Sequence, residues 1–257
     1  MKSNEISFQL YTARKFEPYE GILNFISKSG ITNIELFGVD NSDENEMKNL
    51  LSKYNLNTHS AHVSFFGVKN YKSTIKKLKT LHIKHVIVPA PDLPAGGVWE
   101  DNFNKNEEEW NQFGKELSSY VNIFEDNGFT LGYHNHSFEF HKLPSGKLPI
   151  ECMLDHNENL KYEIDIGWTV AGKADPLIWI NKYSDKIVAC HLKDFYSQDK
   201  NMLNHSQQCA IGHGCIDWSS ILSEIKKTNC EVFALEHDDP KDYQDFILKS
   251  LRELEKI

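Results

Sequence analysis

Eight short apolar runs, each followed by a stretch with helical spacing, fill the chain from end to end. Strict alternation of strand and helix leaves few folds open. A helix between two strands is a crossover, so the strands must run parallel. The runs are Ile6–Tyr11, Ile34–Phe37, Leu56–Val63, His85–Pro89, Phe129–Tyr133, Lys161–Asp165, Lys186–Leu192 and Glu231–His237. Between and after them, helices are predicted at Glu17–Ser29, Asp43–Tyr54, Tyr71–Leu81, Glu107–Asn127, Ile150–His156, Pro176–Tyr183, Asp217–Thr228 and Pro240–Glu255, with Glu107–Asn127 the longest. Gly30 and Gly128 stand where helix ends favour glycine, and Pro176 stands in a first turn. Eight such units in 257 residues predict one closed (β/α)8 TIM barrel spanning residues 1–257, with its site at the C-terminal ends of the strands. An open doubly wound sheet is the alternative. It usually carries a Gly-rich loop after the first strand, where this chain has Thr12-Ala13-Arg14-Lys15. Two long loops are expected, Pro91–Asn106 and Phe195–Gly214, the first a functional lid or a disordered insertion.

Four of the apolar runs break abruptly into metal-type ligands. Leu131-Gly132-Tyr133 runs into His134-Asn135-His136-Ser137-Phe138-Glu139, Tyr162-Glu163-Ile164 into Asp165, Val188-Ala189-Cys190 into His191, and Phe233-Ala234-Leu235 into Glu236. In a barrel, alternate strand residues face the helices or the axis. Bulky Leu131 and Tyr133 suit the helix layer, which turns Gly132 and His134 inward. The same parity turns Asp165, His191 and Glu236 inward, together with Gln9 on strand one and Glu35 on strand two.

Bulk properties exclude several classes. Hydrophobic residues make up 40% and charged residues 25%, as in ordinary globular domains. The net charge is -9, with 37 acidic against 28 basic residues, which argues against nucleic acid as a partner. Five cysteines without a CxxC pair fit reduced thiols in a cytoplasmic protein. The N-terminus shows no apolar signal stretch, and no run reaches membrane-spanning length.

Mixed imidazole and carboxylate without thiolate suits a divalent cation, Mn²⁺ or Zn²⁺ first and Mg²⁺ or Co²⁺ as alternatives. Such an ion would polarise a substrate carbonyl while a neighbouring carboxylate or imidazole moves the proton next to it. Lys193 shares His191's parity and suits a substrate oxygen, and Asp194 suits an orienting role behind them. Each residue also has a bland reading. Asp165 can cap the turn before Gly167, and Glu139 can be a surface charge. Glu35, His59 and His62 can merely pack or hold water, and Trp99, Trp168 and Trp218 can be core rather than sugar-stacking walls. Glu107-Glu108-Glu109 reads as helix N-terminal charge. The convergence of several strands, not any single residue, favours a site.

The segments Gln9-Leu10-Tyr11-Thr12-Ala13-Arg14, Gly132 to Phe140, Asp165-Ile166-Gly167-Trp168, Asp175-Pro176, His191-Leu192-Lys193-Asp194, Gly212 to Trp218 and Leu235-Glu236-His237-Asp238 resemble the sugar phosphate isomerase/epimerase family of xylose isomerase-like barrels. The resemblance covers essentially the whole chain. It implies one divalent metal held by a Glu, Asp, His, Glu set from strands five to eight. Asp165, His191 and Glu236 match the last three. Many relatives have Glu-Asn-His where this chain has His134-Asn135-His136. Either His134 takes the first ligand's place or Glu139 swings in. The adopted expectation is Glu139 as ligand, with His134 or His136 joining Glu236 in proton transfer, and with Gln9, Glu35, His62, Lys193 and Trp168 around the substrate. His213 is a further departure, since relatives usually carry Glu there. The implied activity is a carbohydrate isomerase or epimerase acting by proton abstraction next to a carbonyl. The alternative is a lyase or dehydratase on a 3-keto-glycoside or inosose-like substrate, followed by a DNA-repair endonuclease or a non-catalytic barrel. The late loops carry no Arg/Lys cluster or Gly-rich cup, which favours an unphosphorylated sugar. Barrels of this kind often form homodimers, an option the sequence leaves open.

Overall fold

The computed structural model describes residues 1–257 apart from 17, 40–42, 94–95 and 197–204. The predicted helix start at Glu17 and parts of both predicted loops therefore lie outside the described residues. Eight parallel strands close into a barrel. They are β1 (Ser7–Gln9), β2 (Asn33–Phe37), β3 (Asn57–His62), β4 (His85–Val88), β5 (Thr130–His134), β6 (Lys161–Asp165), β7 (Ile187–Leu192) and, after a two-stranded excursion, β10 (Val232–Leu235), which pairs with β1 to complete the ring. The excursion is an antiparallel pair, β8 (Asp194–Phe195) with β9 (Gln208–Cys209), inside what reads in sequence as a plain loop. The first loop likewise holds a 3-10 turn at Trp99–Asn104.

Strand β7 is buried at every position, as expected where helices cover the outside and side chains fill the inside. The helices are placed by their first residues. Asp43, Asp175, Asp217 and Asp242 each accept backbone N–H bonds at a helix start, and Asn106 and Glu109 form a reciprocal cap below the acidic run. Three details depart from expectation. The helix predicted over Glu107–Asn127 is two helices, Glu107–Ser118 and Val121–Glu125, parted at a Ser-Ser-Tyr stretch of weak helix formers. The longest helices are thus Glu107–Ser118 and Tyr243–Leu254. Short extra helices occur at Phe65–Lys69 and Ile166–Ala171, the second capped by Asp165.

Inside the ring the side chains form layers. The lower barrel is plugged by Ile87, Val188, Ala189, Val232 and Ala234. Gly132 keeps this layer tight, since a Cβ there would meet Ile87 Cδ1 at 2.9 Å. Above the plug the interior turns polar. Two register shifts mark the change, one between Ile34 and Glu35 and one between Tyr162 and Glu163. Each leaves one residue of the neighbouring strand unpaired, His59 on β3 and Val188 on β7, and re-aims the carboxylate beside it. Among the described residues no helix is long and apolar enough to cross a membrane.

Candidate active site

Strand register brings the polar residues together. His134 lies opposite Glu163, Asp165 opposite His191, and His191 opposite Ala234, two residues before Glu236. The result is two tiers of carboxylates with imidazoles between them. Toward the strand ends lie Asp165, Glu236 and Asp238. Deeper lie Glu35 and Glu163. His191 presents one ring nitrogen to each tier: Nδ1 is 2.8 Å from Glu236 Oε2 and 3.8 Å from Asp165 Oδ2, and Nε2 is 2.6 Å from Glu35 Oε1 and 3.2 Å from Glu163 Oε2. His134 does the same, with Nδ1 3.0 Å from Glu163 Oε2 and Nε2 4.0 Å from Asp165 Oδ2. His62, at the end of β3, stacks parallel to His191 and reaches Glu163 Oε2 at 2.6 Å.

Lys193 follows His191 and is fully buried. Its ammonium lies 2.9 Å from Glu236, 2.9 Å from Asp238 and 3.2 Å from Asp165, and over the ring of Trp168. Asp194, next in sequence, gathers the following loop: its carboxylate accepts from the N–H groups of Phe195, Gly212, Gly214 and Ile216 and from Trp218 Nε1. That fixes Lys193 from behind and makes Trp218 a core residue, not a sugar wall.

Burial sets the electrostatics. It lifts Asp165 to about 6 against the pull of Lys193 and His191, and Glu163 to about 7, with Glu35 adding repulsion. Burial opposes ionisation of Glu236 too, yet Lys193 and His191 hold its pKa well below the usual range. For His191 burial also works against charge, but Glu163, Glu236 and Glu35 outweigh it and push the pKa well above normal. His134 is driven far down by burial and by His191. Burial and Lys193 lower His136 to about 3, so its imidazole is neutral.

The remaining expected residues sort as follows. Gln9 donates to Glu35 Oε1 at 2.8 Å and so supports the lower tier from β1. Trp168 is buried beside Lys193, Phe195 and His136. His136 sits in an aromatic box of Trp99, Phe138 and His134, with no hydrogen-bond partner for Nδ1. Trp99 is 39% exposed, so it forms the outer wall of this box. His59 is exposed on its bulge, away from the axis. Glu139 is the main departure. It is fully buried, but its carboxylate accepts from Tyr133 Oη at 2.6 Å and from the His136 N–H at 2.8 Å. Burial lifts it to about 8, against those two bonds. It stands outside the ligand atoms that converge on His191, because Tyr133 faces the helix layer and takes the carboxylate with it.

Two residues escaped the sequence reading. Glu163 lies at the centre of the deeper tier and shares inward parity with Asp165, which was the available signal. Asp238 pairs with Lys193 from the segment after β10, where no periodicity marks it.

Side chains of Asp165, His191 and Glu236 place one ligand atom each within 4.8 Å of the others. Asp165 takes its capping role with one oxygen only: Oδ1 caps the Trp168 N–H at 2.7 Å, while Oδ2 accepts no directed hydrogen bond and faces the cluster. Asp165, Glu236 and Asp238 surround one buried ammonium, Lys193, and the buried Glu35 and Glu163 lie on the far side of His191. A buried carboxylate oxygen without a directed hydrogen bond, beside further buried carboxylates, is what a divalent cation would neutralise, and the O/N donor set fits one.

Residues 23–256 match the family model of the xylose isomerase-like TIM barrel. An inosose dehydratase of Clostridium beijerinckii is 26% identical over 246 residues, covering 86% of this chain and 82% of that protein. Among solved structures, a sugar phosphate isomerase/epimerase from Parabacteroides distasonis superposes with a TM-score of 0.79 at 17% identity, covering 98% of each chain. The IolI protein, with a binding zinc atom, superposes with a TM-score of 0.73 at 16% identity, covering 100% of this chain and 96% of that one.

Proposed function

The chain belongs to the xylose isomerase-like TIM barrel family, and from that premise we propose that it is a metal-dependent enzyme that removes the proton next to the carbonyl of a keto-sugar or related cyclic ketone. The observation that carries the reading is the convergence of Asp165, His191 and Glu236 from three adjacent strands. A divalent ion on these three residues would supply Lewis acidity for the substrate carbonyl. The name of the dehydratase relative and the zinc of the structural neighbour agree with a ketone substrate and a bound metal.

The chain's own groups divide the work. Glu236 stays ionised at neutral pH and is the base for the C–H proton. Lys193 points its ammonium into the same space and binds a substrate oxygen. His136 is neutral, with a free Nδ1 on the aromatic wall, and accepts a hydrogen bond from a substrate hydroxyl. Trp99 and Trp168 flank His136 and exclude water from the sugar face.

Geometry favours β-elimination as the outcome. With Glu139 clasped by Tyr133 and the His136 N–H, no second carboxylate opposes Glu236 from the end of β5. Glu236 then takes the α-proton, the C–H electrons form the double bond, and the β-hydroxyl leaves as water with the proton that Glu236 has just acquired. Isomerisation or epimerisation is the second reading, in which Glu236 returns the proton to carbon. Incubation of keto-polyols and keto-glycosides in D₂O separates the two. An unsaturated ketone with loss of water marks elimination. Deuterium at carbon without loss of water marks isomerisation. Neither change with any ketone would contradict the proposal.

A further inference from the structure

Three imidazole nitrogens converge on one carboxylate oxygen beneath the proposed catalytic site. His62 Nε2, His134 Nδ1 and His191 Nε2 lie 2.6, 3.0 and 3.2 Å from Glu163 Oε2. One ligand atom from each of these four residues lies within 4.8 Å of every other, and all four side chains are buried. The other oxygen of Glu163 has no hydrogen-bond partner although the residue is fully inaccessible. His62 Nε2, His134 Nδ1 and the Glu163 carboxylate, with no thiolate, form a three-ligand set that suits Zn²⁺ or Co²⁺ with one position left open. Zinc bonds of about 2.0–2.1 Å in a tetrahedron require donors about 3.3 Å apart, which the 2.6 and 3.0 Å separations from Glu163 Oε2 reach by opening a few tenths of an ångström.

We propose that the barrel holds a second divalent cation in this deeper tier, ligated by His62, His134 and Glu163. The inference deepens the proposed function, from which it takes the first cation on Asp165, Glu236 and Nδ1 of His191. That division uses each ring once. His191 gives Nδ1 to the upper ion and keeps its Nε2–H for Glu35 Oε1, 2.6 Å away. His134 gives Nδ1 to the lower ion and leaves Nε2 toward Asp165. The two register shifts, beside Glu35 and beside Glu163, give the deeper tier a local backbone cause of its own.

Metal stoichiometry at saturating Zn²⁺, measured by elemental analysis after removal of excess ion, tests the proposal. It is run on the wild type and on Glu236→Gln, Glu163→Gln and His62→Asn, with circular dichroism to establish that each is folded. The expected result is about two equivalents in the wild type and about one in each variant. Co²⁺ loading supplies an independent readout. Glu236→Gln should keep a visible absorption band that the double variant Glu236→Gln/Glu163→Gln loses. One equivalent in the wild type, lost in Glu236→Gln and kept in Glu163→Gln and His62→Asn, would overturn the second site and leave the catalytic site standing. One equivalent lost in Glu163→Gln and kept in Glu236→Gln would retain the deeper site and remove the upper one. No bound metal in any folded preparation would overturn both.

Discussion

Lys193 is the residue on which the upper tier depends. Its ammonium is in contact with Asp165, Glu236 and Asp238 at once, inside a fully buried site. Removing one partner of a buried charge set leaves the others uncompensated, which costs about 3–5 kcal/mol. Lys193→Met should therefore lower the stability of chelator-treated protein by that order, read from denaturant melts. Glu139 makes a second prediction. Its pKa rises from 4.5 in the unfolded chain to about 8 when folded, because burial disfavours the carboxylate. A raised folded pKa contributes stability that is fully present below pH 4.5 and is lost as pH rises through about 8. The folded state binds the extra proton across this window, so stability falls by up to about 1.4 kcal/mol per pH unit. Glu139→Gln has no such proton to lose. Denaturant melts from pH 5 to 9 should show the variant gaining on the wild type as pH rises, and parallel curves would rule this environment out.

At the scale of elements, the site depends on how strand ends pass into loops. Gly167 opens the helix after β6, where a Cβ would stand 2.7 Å from the Lys193 carbonyl oxygen and 2.9 Å from its Cβ. Gly167→Ala must push the end of β7 aside. The strain should cost about 1–3 kcal/mol and weaken substrate binding by displacing Lys193, seen as a higher KM. A variant with unchanged KM and melting temperature would show that this contact yields without effect. The strands themselves were largely legible, because each is a short apolar run ended by polar residues, and parity aimed His134, Asp165 and His191 at the axis. What sequence could not show were the register shifts beside Glu35 and Glu163, which depend on pairing between distant strands. Glu163 had the right parity but stood inside an apolar run, so nothing singled it out. Glu139 was expected as a ligand because the family resemblance implies a Glu where this chain has His134, and only the neighbouring Tyr133 hydroxyl reveals that its carboxylate is already engaged. The divided helix at Ser118-Ser119-Tyr120 escaped for a similar reason: its apolar spacing continues across the break.

For the molecule as a whole, alternation of eight strand and helix units was enough to anticipate the closed parallel barrel. The polar tiers then set the barrel's main liability, since five carboxylates and one ammonium share its interior. A cation that binds only the folded state stabilises it by about 2.7 kcal/mol at a hundredfold excess over its Kd. In a chain of this size that corresponds to a melting temperature about 5–10 °C higher. Thermal melts before and after chelation should show this loss, and restoring Mn²⁺ or Zn²⁺ should reverse it.

The central claim is that Asp165, His191 and Glu236 hold a metal beside the base that takes a carbonyl-adjacent proton. Hydrogen–deuterium exchange at the carbon next to the ketone, followed by NMR for wild type and Glu236→Gln with metal content measured on the same samples, tests it most directly. Metal in the wild type, exchange into a keto-sugar or keto-polyol, and at least about a hundredfold loss of exchange in Glu236→Gln are expected. Metal-free wild-type protein whose folded Glu236→Gln variant exchanges at the same rate would contradict it.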